Sequence, residues 1–427
     1  MRSLELFTGG GGLALGLERG GFRHIALVEY DHDACETLRA NSGGPCVRGH
    51  WPVYETDARA FQYARWAGQV ELLAGGPPCQ PFSIAGKHAG DTDRRNMFPE
   101  VFRAAREIRP QAILVENVWG LTRPPFQPYL DYITLQMRYP TITSRQGESW
   151  MDHKARLARI AQEGAHVDLE YRVAGPEIID LVNFGVPQVR KRLIIVALRA
   201  DLGLEWSWPI PIHSRERLLY DQWVTKSYWR RHHMRAPEMP AAIATAVERL
   251  RTMPTPARKP WRTVRDALRG LPEPIDGVAH PEIANHTGIP GARSYFGHSG
   301  SVYDLPAKTL KAGGHGVPGG ENMLARDDGS VRYFTVRESA RLQTFPDSYI
   351  FRSSRTEAMR QIGNAVPVAV AELFARQLHR LLVPLNRRVR YTQPRMIVPV
   401  RLLESAEGYS DADTSPESPL MPVDKVM

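Results

Sequence analysis

Short apolar runs, each ending in a loop and most followed by residues at helical spacing, constrain this chain most. The first is Leu4–Phe7, which enters Thr8-Gly9-Gly10-Gly11-Gly12 and then Leu13–Arg19. Glycines between a strand and a helix free the backbone for positive φ and let a ligand approach the main chain. The pattern repeats with Ile25–Glu29 before Ala34–Asn41, and with the runs Glu71–Ala74 and Ala112–Val115 before loops. Strand, turn and helix in alternation predict an α/β fold with a doubly wound, mostly parallel, Rossmann-like sheet. Leu193–Ala197, apolar throughout, predicts a further buried strand.

The loops at the carboxyl ends of such strands carry the chemistry. Glu29 ends the second strand twenty residues after Gly9, where an acid can take both hydroxyls of a ribose. Asp57, after a third strand, is placed to accept from an adenine amine. These residues outline a nucleoside pocket, compatible with a nicotinamide dinucleotide or with S-adenosyl-L-methionine. Gly75-Gly76-Pro77-Pro78-Cys79-Gln80-Pro81-Phe82-Ser83 follows the next strand, with prolines stiffening the loop around a cysteine. Glu116-Asn117-Val118 leaves the same edge. A thiol nucleophile and a carboxyl acid facing one pocket suit covalent addition to an electron-poor ring.

Composition sets the outer limits. The 427 residues predict two or three domains, and 42% apolar residues predict a largely globular chain. A net charge of +9 favours a polyanionic partner, nucleic acid first. Three cysteines, Cys35, Cys46 and Cys79, make neither a disulfide scaffold nor a zinc site, so no metal is expected. The start has no signal-peptide core, and no run approaches the ~18 apolar residues of a membrane span, so a cytoplasmic protein is expected. Residues 1–200 read as a cofactor-binding and catalytic domain. Residues 201–332 are dense in Pro, Gly, Trp, His and Arg and read as a separate, smaller, loop-rich domain. Thr335–Gln343 and Val368–Leu382 regain helical spacing within a 333–385 segment, and 404–427 reads as a disordered tail.

With those motifs in hand, the chain resembles the DNA cytosine-5 methyltransferase family over nearly its whole ordered length. Phe7-x-Gly9-x-Gly11-Gly12 matches the cofactor loop, Pro78-Cys79-Gln80 the nucleophile motif and Glu116-Asn117-Val118 the acid motif. Gln188-Val189-Arg190-Lys191-Arg192 matches the Gln-x-Arg-x-Arg block. Arg337–Asp347 matches the block after the recognition domain, and Gly363-Asn364-Ala365-Val366-Pro367 the closing motif. Six motifs in the family's order form a specific signal.

The resemblance implies an S-adenosyl-L-methionine-dependent fold and a methyl transfer to C5 of a cytosine flipped out of double-stranded DNA. It implies Cys79 adding to C6, Glu116 bonding N3 and the exocyclic amine, Arg192 holding O2, and Arg190 ordering Glu116 or nearby backbone. It assigns the cofactor to Phe7, Gly9, Gly11, Gly12, Glu29, Tyr30, Asp57, Pro78 and Asn364, with 333–385 returning to the first domain. It makes 201–332 the target recognition domain. Gln80, Ser83, Lys87 and Arg94 near the nucleophile, with Arg230, Arg231, Lys308 and Lys311, become the expected DNA contacts. Tyr220, Trp223, Tyr228 and Trp229 interleave with the basic residues of His213–Arg235.

The family setting further implies a monomer that protects DNA from a cognate restriction endonuclease. An orphan regulatory methylase would carry the same motifs. A tRNA or RNA cytosine-5 methyltransferase is the alternative enzyme, against which the size of 201–332 speaks. A nicotinamide oxidoreductase leaves Cys79 and Glu116 unused, and a silent DNA-binding relative leaves them intact without reason. Two departures stand out: Gly10 is an extra glycine expected to loosen the cofactor loop, and Arg123-Pro124-Pro125 with Ile142–Gly164 reads as an insertion of unassigned role, with a helix near Met151–Gln162.

Overall fold

In the computed structural model, which describes residues 1–78, 96–313 and 320–392, the expected alternation forms a seven-stranded sheet. Strands β1 (Arg2–Leu6), β2 (Arg23–Glu29), β3 (Val53–Glu55), β4 (Leu72–Gly75) and β5 (Ala112–Val118) pair in parallel. The first three helices are α1 (Gly12–Arg19), α2 (His32–Asn41) and α3 (Phe98–Ile108). After β5 come α4 (Gln127–Arg138), α5 (Trp150–Glu163), and strands β6 (Tyr171–Asp180) and β7 (Lys191–Arg199). The sheet order is β3-β2-β1-β4-β5-β7-β6. β7 runs antiparallel to both of its neighbours, so the mostly parallel sheet ends in an antiparallel pair.

Why these residues make these elements is visible in their burial. The inner strands are apolar on both faces because helices cover both. Leu73, Ile113, Val115, Leu193 and Ile195 pack toward α3 and α4. Leu72, Ala112, Leu114, Ile194 and Val196 pack on the opposite face with Leu13, Leu17 and the last helix. Strand order reverses between β1 and β4, the switch point beside which open α/β sheets bind ligands at their carboxyl ends.

The remaining elements are shorter. They are β8 (His213–Ser214), α6 (Arg215–Leu219), α7 (Ser227–Arg231), α8 (Ala244–Thr252), β9 (Lys259–Pro260) and α9 (Val264–Leu268). Then come β10 (Ser301–Val302), β11 (Met323–Ala325), β12 (Val331–Tyr333), α10 (Val336–Leu342), α11 (Arg355–Asn364) and α12 (Val368–Thr392). Met1–Asn386 form one compact unit. Within it, 201–332 has an apolar cluster of its own, Leu218, Leu219, Trp223, Tyr228, Trp229, Val247 and Leu250. Three of the four aromatics interleaved among its basic residues are therefore core, and Tyr220 packs against them.

The C-terminal segment returns onto the first helix through small residues. Gly12, Gly16 and Gly20 lie four apart, on one face of α1 and at its C-terminal cap. A Cβ on Gly16 would sit 2.2 Å from the Ala371 methyl, and one on Gly20 would sit 2.2 Å from that of Ala375. No side chain fits there, so α1 and α12 touch backbone to backbone. Gly10 is held rather than loosened: its carbonyl accepts from the Tyr349 hydroxyl at 2.9 Å, and a Cβ would meet Gln361 at 2.9 Å. The insertion is a packed helix, α5, capped by the Ser149 side chain and held by the buried His153 and Leu157.

Candidate active site

The glycine loop after β1 is built by backbone strain and one acid. Phe7 has φ +57°, costly for a non-glycine residue, and its N–H donates to the Val28 carbonyl at 2.9 Å. Glu29, at the end of β2, is buried. Its Oε2 accepts from the Gly9 amide at 2.8 Å, and its Oε1 from the amides of Tyr30 and Asp31 at 2.9 Å each. Burial pushes its carboxyl above the usual range, while those three N–H groups oppose the shift. A carboxylate has further lone pairs, so it can still accept from a ribose.

The loop glycines divide by what lies beside them. Gly11 and Gly12 face protein: a Cβ would meet the Tyr349 hydroxyl at 2.4 Å and the Val366 carbonyl at 2.3 Å, respectively. Gly9 has φ +54° and open space where a Cβ would stand. The approach for a ligand is therefore at Gly9, beside Glu29 and the half-buried Phe7, and this cradle fits a nucleoside cofactor. Tyr30 is 72% exposed, and Asp57 is exposed and paired with Arg59 at 3.3 Å. Pro78 ends the described part of the loop after β4. Asn364, exposed at the end of α11, lies in the closing motif, whose Val366 carbonyl lies against Gly12.

Glu116 and Arg192 meet because of strand register. Val118 faces Arg192 across the β5–β7 pair, and Glu116 faces Ile194. Glu116 and Arg192 are thus diagonal neighbours, within reach of long side chains. Arg192 Nε lies 2.7 Å from Glu116 Oε1, and both side chains are about nine-tenths buried. Burial lowers the Arg192 pKa, and the carboxylate beside it opposes that shift. The other oxygen, Oε2, lies under the loop after β4, where a Cβ on Gly76 would come within 3.2 Å. The Asn117 amide donates to the Pro77 carbonyl at 3.0 Å and ties that loop to β5. Acid, arginine and the approach to the cysteine are thus brought together. Cys79, Gln80, Ser83, Lys87 and Arg94 lie outside the described residues.

The period of two in Gln188-x-Arg190-x-Arg192 puts the three polar residues in register along one segment. Only Arg192 reaches Glu116. Arg190 is fully buried and donates to the carbonyls of Gly363 at 2.7 Å, and of Ala365 and Leu310 at 3.2 Å each. Of the two roles expected for it, the structure displays the ordering of backbone. Desolvation drives its pKa well down, the Arg192 charge adds to this, and Glu116 opposes it. Gln188 accepts from the Leu310 amide at 3.0 Å, and Gln343 donates to the Ile362 carbonyl at 2.7 Å. This clamp around the closing motif was not among the sequence-derived sites, beyond Arg190. Its signal was polar residues in an otherwise apolar setting.

The expected DNA contacts are spread over 201–332. Arg230 is exposed and donates to the Thr225 carbonyl at 2.8 Å; Arg231 pairs with Asp266 at 3.0 Å. Lys308 Nζ donates to the Ser299 hydroxyl at 3.4 Å, and Lys311 is exposed. A cavity of about 240 Å³ between α9 and β12 is lined by Arg332, which pairs with Glu338 and Glu273, and by His232, Arg265 and Arg269.

The chain is similar to known proteins over most of its length. A family model for C-5 cytosine-specific DNA methylases matches residues 1–139 and 150–380. Of the supposed insertion, only 140–149 therefore falls outside the family pattern. The type II methyltransferase M.Eco47II of Escherichia coli is 32% identical over 90% of this chain and 80% of its own. M.NgoMIV of Neisseria gonorrhoeae, also a type II methyltransferase, is 31% identical over 89% of this chain and 97% of its own. Two solved structures share the fold. A prophage-encoded DNA modification methyltransferase from E. coli has a TM-score of 0.56 at 21% identity, covering 90% of this chain and 99% of its own. A Dnmt2 methyltransferase from S. pombe has 0.52 at 19%, covering 90% and 99%. No described helix is long and apolar enough to cross a membrane. With the acid, the arginine block and the closing motif assembled at one sheet edge, and the family model matching across them, the chain belongs to the C-5 cytosine-specific DNA methylases.

Proposed function

We propose that this DNA cytosine-5 methyltransferase acts on one short site in duplex DNA and takes its methyl group from S-adenosyl-L-methionine. The buried Glu116–Arg192 pair, facing the loop that leads to Cys79, carries the reading. The thiolate of Cys79 bonds C6 of an extruded cytosine, and the C5=C6 electrons move onto the ring. Glu116, carrying a proton, donates it to N3 and accepts from the exocyclic amine, so that charge developing at N3 is offset, while Arg192 holds Glu116 and O2. Bound cofactor supplies an electrophilic methyl on a sulfonium, which leaves as a neutral thioether. After C5 has bonded that methyl, its proton passes to water and the freed electron pair re-forms C5=C6 as the Cys79 thiolate leaves C6, restoring the aromatic ring.

Glu29 takes the ribose, Gly9, Gly11 and Gly12 shape the loop, and Phe7, Tyr30, Asp57, Pro78 and Asn364 surround the rest of the cofactor. Residues 201–332 form the target recognition domain. Gln80, Ser83, Lys87, Arg94, Arg230, Arg231, Lys308 and Lys311 contact DNA there and beside the nucleophile. The enzyme works as a cytoplasmic monomer and protects its sites from a cognate endonuclease. Bisulfite sequencing of plasmid from cells expressing the wild type or Cys79→Ala tests this. Protected cytosines within one motif in the wild type alone support it. Unprotected DNA in both rejects it, and RNA substrates are then next.

A further inference from the structure

The one large aromatic side chain among the described residues that is wholly exposed is Phe296. Its turn is built to project it. The His298 amide donates to the Tyr295 carbonyl at 2.7 Å, closing a four-residue turn with Phe296 and Gly297 at its corners. Gly297 has φ +78° and Phe296 does not share the positive sign, the pattern of a type II turn. The Tyr295 ring lies flat on the buried His298 ring, with centroids 4.4 Å apart and planes 2° apart. That stack holds the base of the turn, and Phe296 stands alone at its tip.

The turn is tied to the catalytic edge. Three residues beyond it, β10 pairs with β11. The chain then runs along 187–190: Ala307 and Val189 share a backbone hydrogen bond at 2.8 Å, and Leu310 is gripped by Gln188 and Arg190. Arg192, beside Glu116, is two residues further along that strand. The surroundings suit a polyanion. From Ile283 to Tyr303 there is no acidic residue, and Arg293 is three residues from the tip. A Phe held in water at the end of a rigid turn gains nothing from this fold, whereas a base face can cover it.

We propose that Phe296 is a stacking wedge that enters the base stack of the DNA duplex at the target and holds open the step from which cytosine leaves. This rests on duplex DNA being the substrate. A wedge of this kind offsets unstacking, a cost that is smaller where the target is already unpaired. Its contribution therefore depends on how the target is paired, which an ordinary surface contact would not.

The test compares wild type, Phe296→Ala and Phe296→Trp on two duplexes bearing the motif found by bisulfite sequencing. In one the target cytosine faces guanine; in the other it faces an abasic position. With the wedge, Phe296→Ala loses ~10-fold or more in kcat/KM on the paired duplex. It loses clearly less on the abasic one, and Phe296→Trp restores activity on both. Melting temperatures stay together because the side chain is exposed. Equal activity of Phe296→Ala and wild type, or an equal loss on both duplexes, overturns the wedge. A wild type that methylates neither duplex overturns the DNA reading and the wedge with it.

Discussion

The carboxyl edge of the sheet and residues 201–332 are held together in different ways. At the edge, side chains are placed by strand register and by close approach of backbone. Glu116 and Arg192 meet diagonally across β5 and β7, and Gly12 admits the Val366 carbonyl. Among the described residues of 201–332 the longest α-helix, α8, has nine residues, and ion pairs such as Arg265–Asp304 and Arg217–Asp221 join short pieces around an aromatic cluster. A buried group at the edge that loses its partner stays desolvated, which is costly; an exposed cation that loses one is taken up by water. Single substitutions should therefore have large effects at the edge and small ones in 201–332.

The largest effect is expected for Glu116→Gln. The amide keeps the volume but loses the charge that offsets Arg192, and it presents a different hydrogen-bonding pattern to the base. Incorporation of labelled methyl into DNA should fall by ~10²–10³-fold. Circular dichroism checks that the fold survives. A variant with full activity would remove Glu116 from the chemistry and dissolve the contrast.

A second large effect belongs to the opposite end of the same strands and appears in pH. His24 on β2 is buried. Its Nε2 donates to the Ala14 carbonyl at 2.9 Å and its Nδ1 accepts from the Ser3 hydroxyl at 3.0 Å. Burial drives its pKa down to about 4. Below its ordinary value of 6.5 the unfolded chain binds a proton that the folded chain refuses until about 4. The stabilisation is complete above that ordinary value and is lost as pH falls toward 4, on the order of 3 kcal/mol. Urea unfolding at pH 7 and 4.5 should show wild type losing more stability on acidification than His24→Gln. Parallel losses in the two proteins would show that His24 titrates normally in the fold.

Much of the edge was legible because its chemistry follows strand ends. Phe7–Gly12, Glu29 and Glu116 sit where alternating strand and helix patterns place them, since each apolar run fixes where its loop must emerge. The supports were not legible. Nothing in the spacing of Gln188 and Arg190 says that they hold the Leu310 amide and carbonyl, 120 or more residues distant, nor that Gln343 donates to the Ile362 carbonyl. Gly16 and Gly20 read as ordinary helix residues until α12 lies on them. The antiparallel sense of β7 depends on which neighbour it finds, which its apolar run does not encode. In 201–332 the aromatic-basic mixture reads as a nucleic-acid surface, yet Trp223, Tyr228 and Trp229 are buried because so short a set of elements has few other side chains to fill a core.

Gly16→Ala sharpens the point about backbone contact. Helix propensity alone favours alanine by ~1 kcal/mol. A methyl 2.2 Å from that of Ala371 must force α1 and α12 apart, at about 1–3 kcal/mol. The net change should be destabilising, read as a lower urea midpoint with an unchanged slope. A stabilised variant would mean that the helices separate at little cost and that the C-terminal return is loose.

The smallest effects should come from the basic residues of 201–332, and two neighbours there differ in a usable way. Arg230 is exposed and donates to the Thr225 carbonyl, with no carboxylate paired to it among the described residues, so its full charge is available to a phosphate. Arg231 shares its guanidinium with Asp266 and stacks over Tyr228 at 5.2 Å, so part of its charge is already balanced. Each replacement by alanine should leave folding stability within about 1 kcal/mol, since both cations are solvated. In DNA binding measured across salt concentrations, Arg230→Ala should reduce the slope of log affinity against log salt by ~1. Arg231→Ala should reduce it by less. A larger change for Arg231→Ala would mean that Asp266 releases it on binding, and that the ion pairs of 201–332 are rearranged by DNA rather than carried through unchanged.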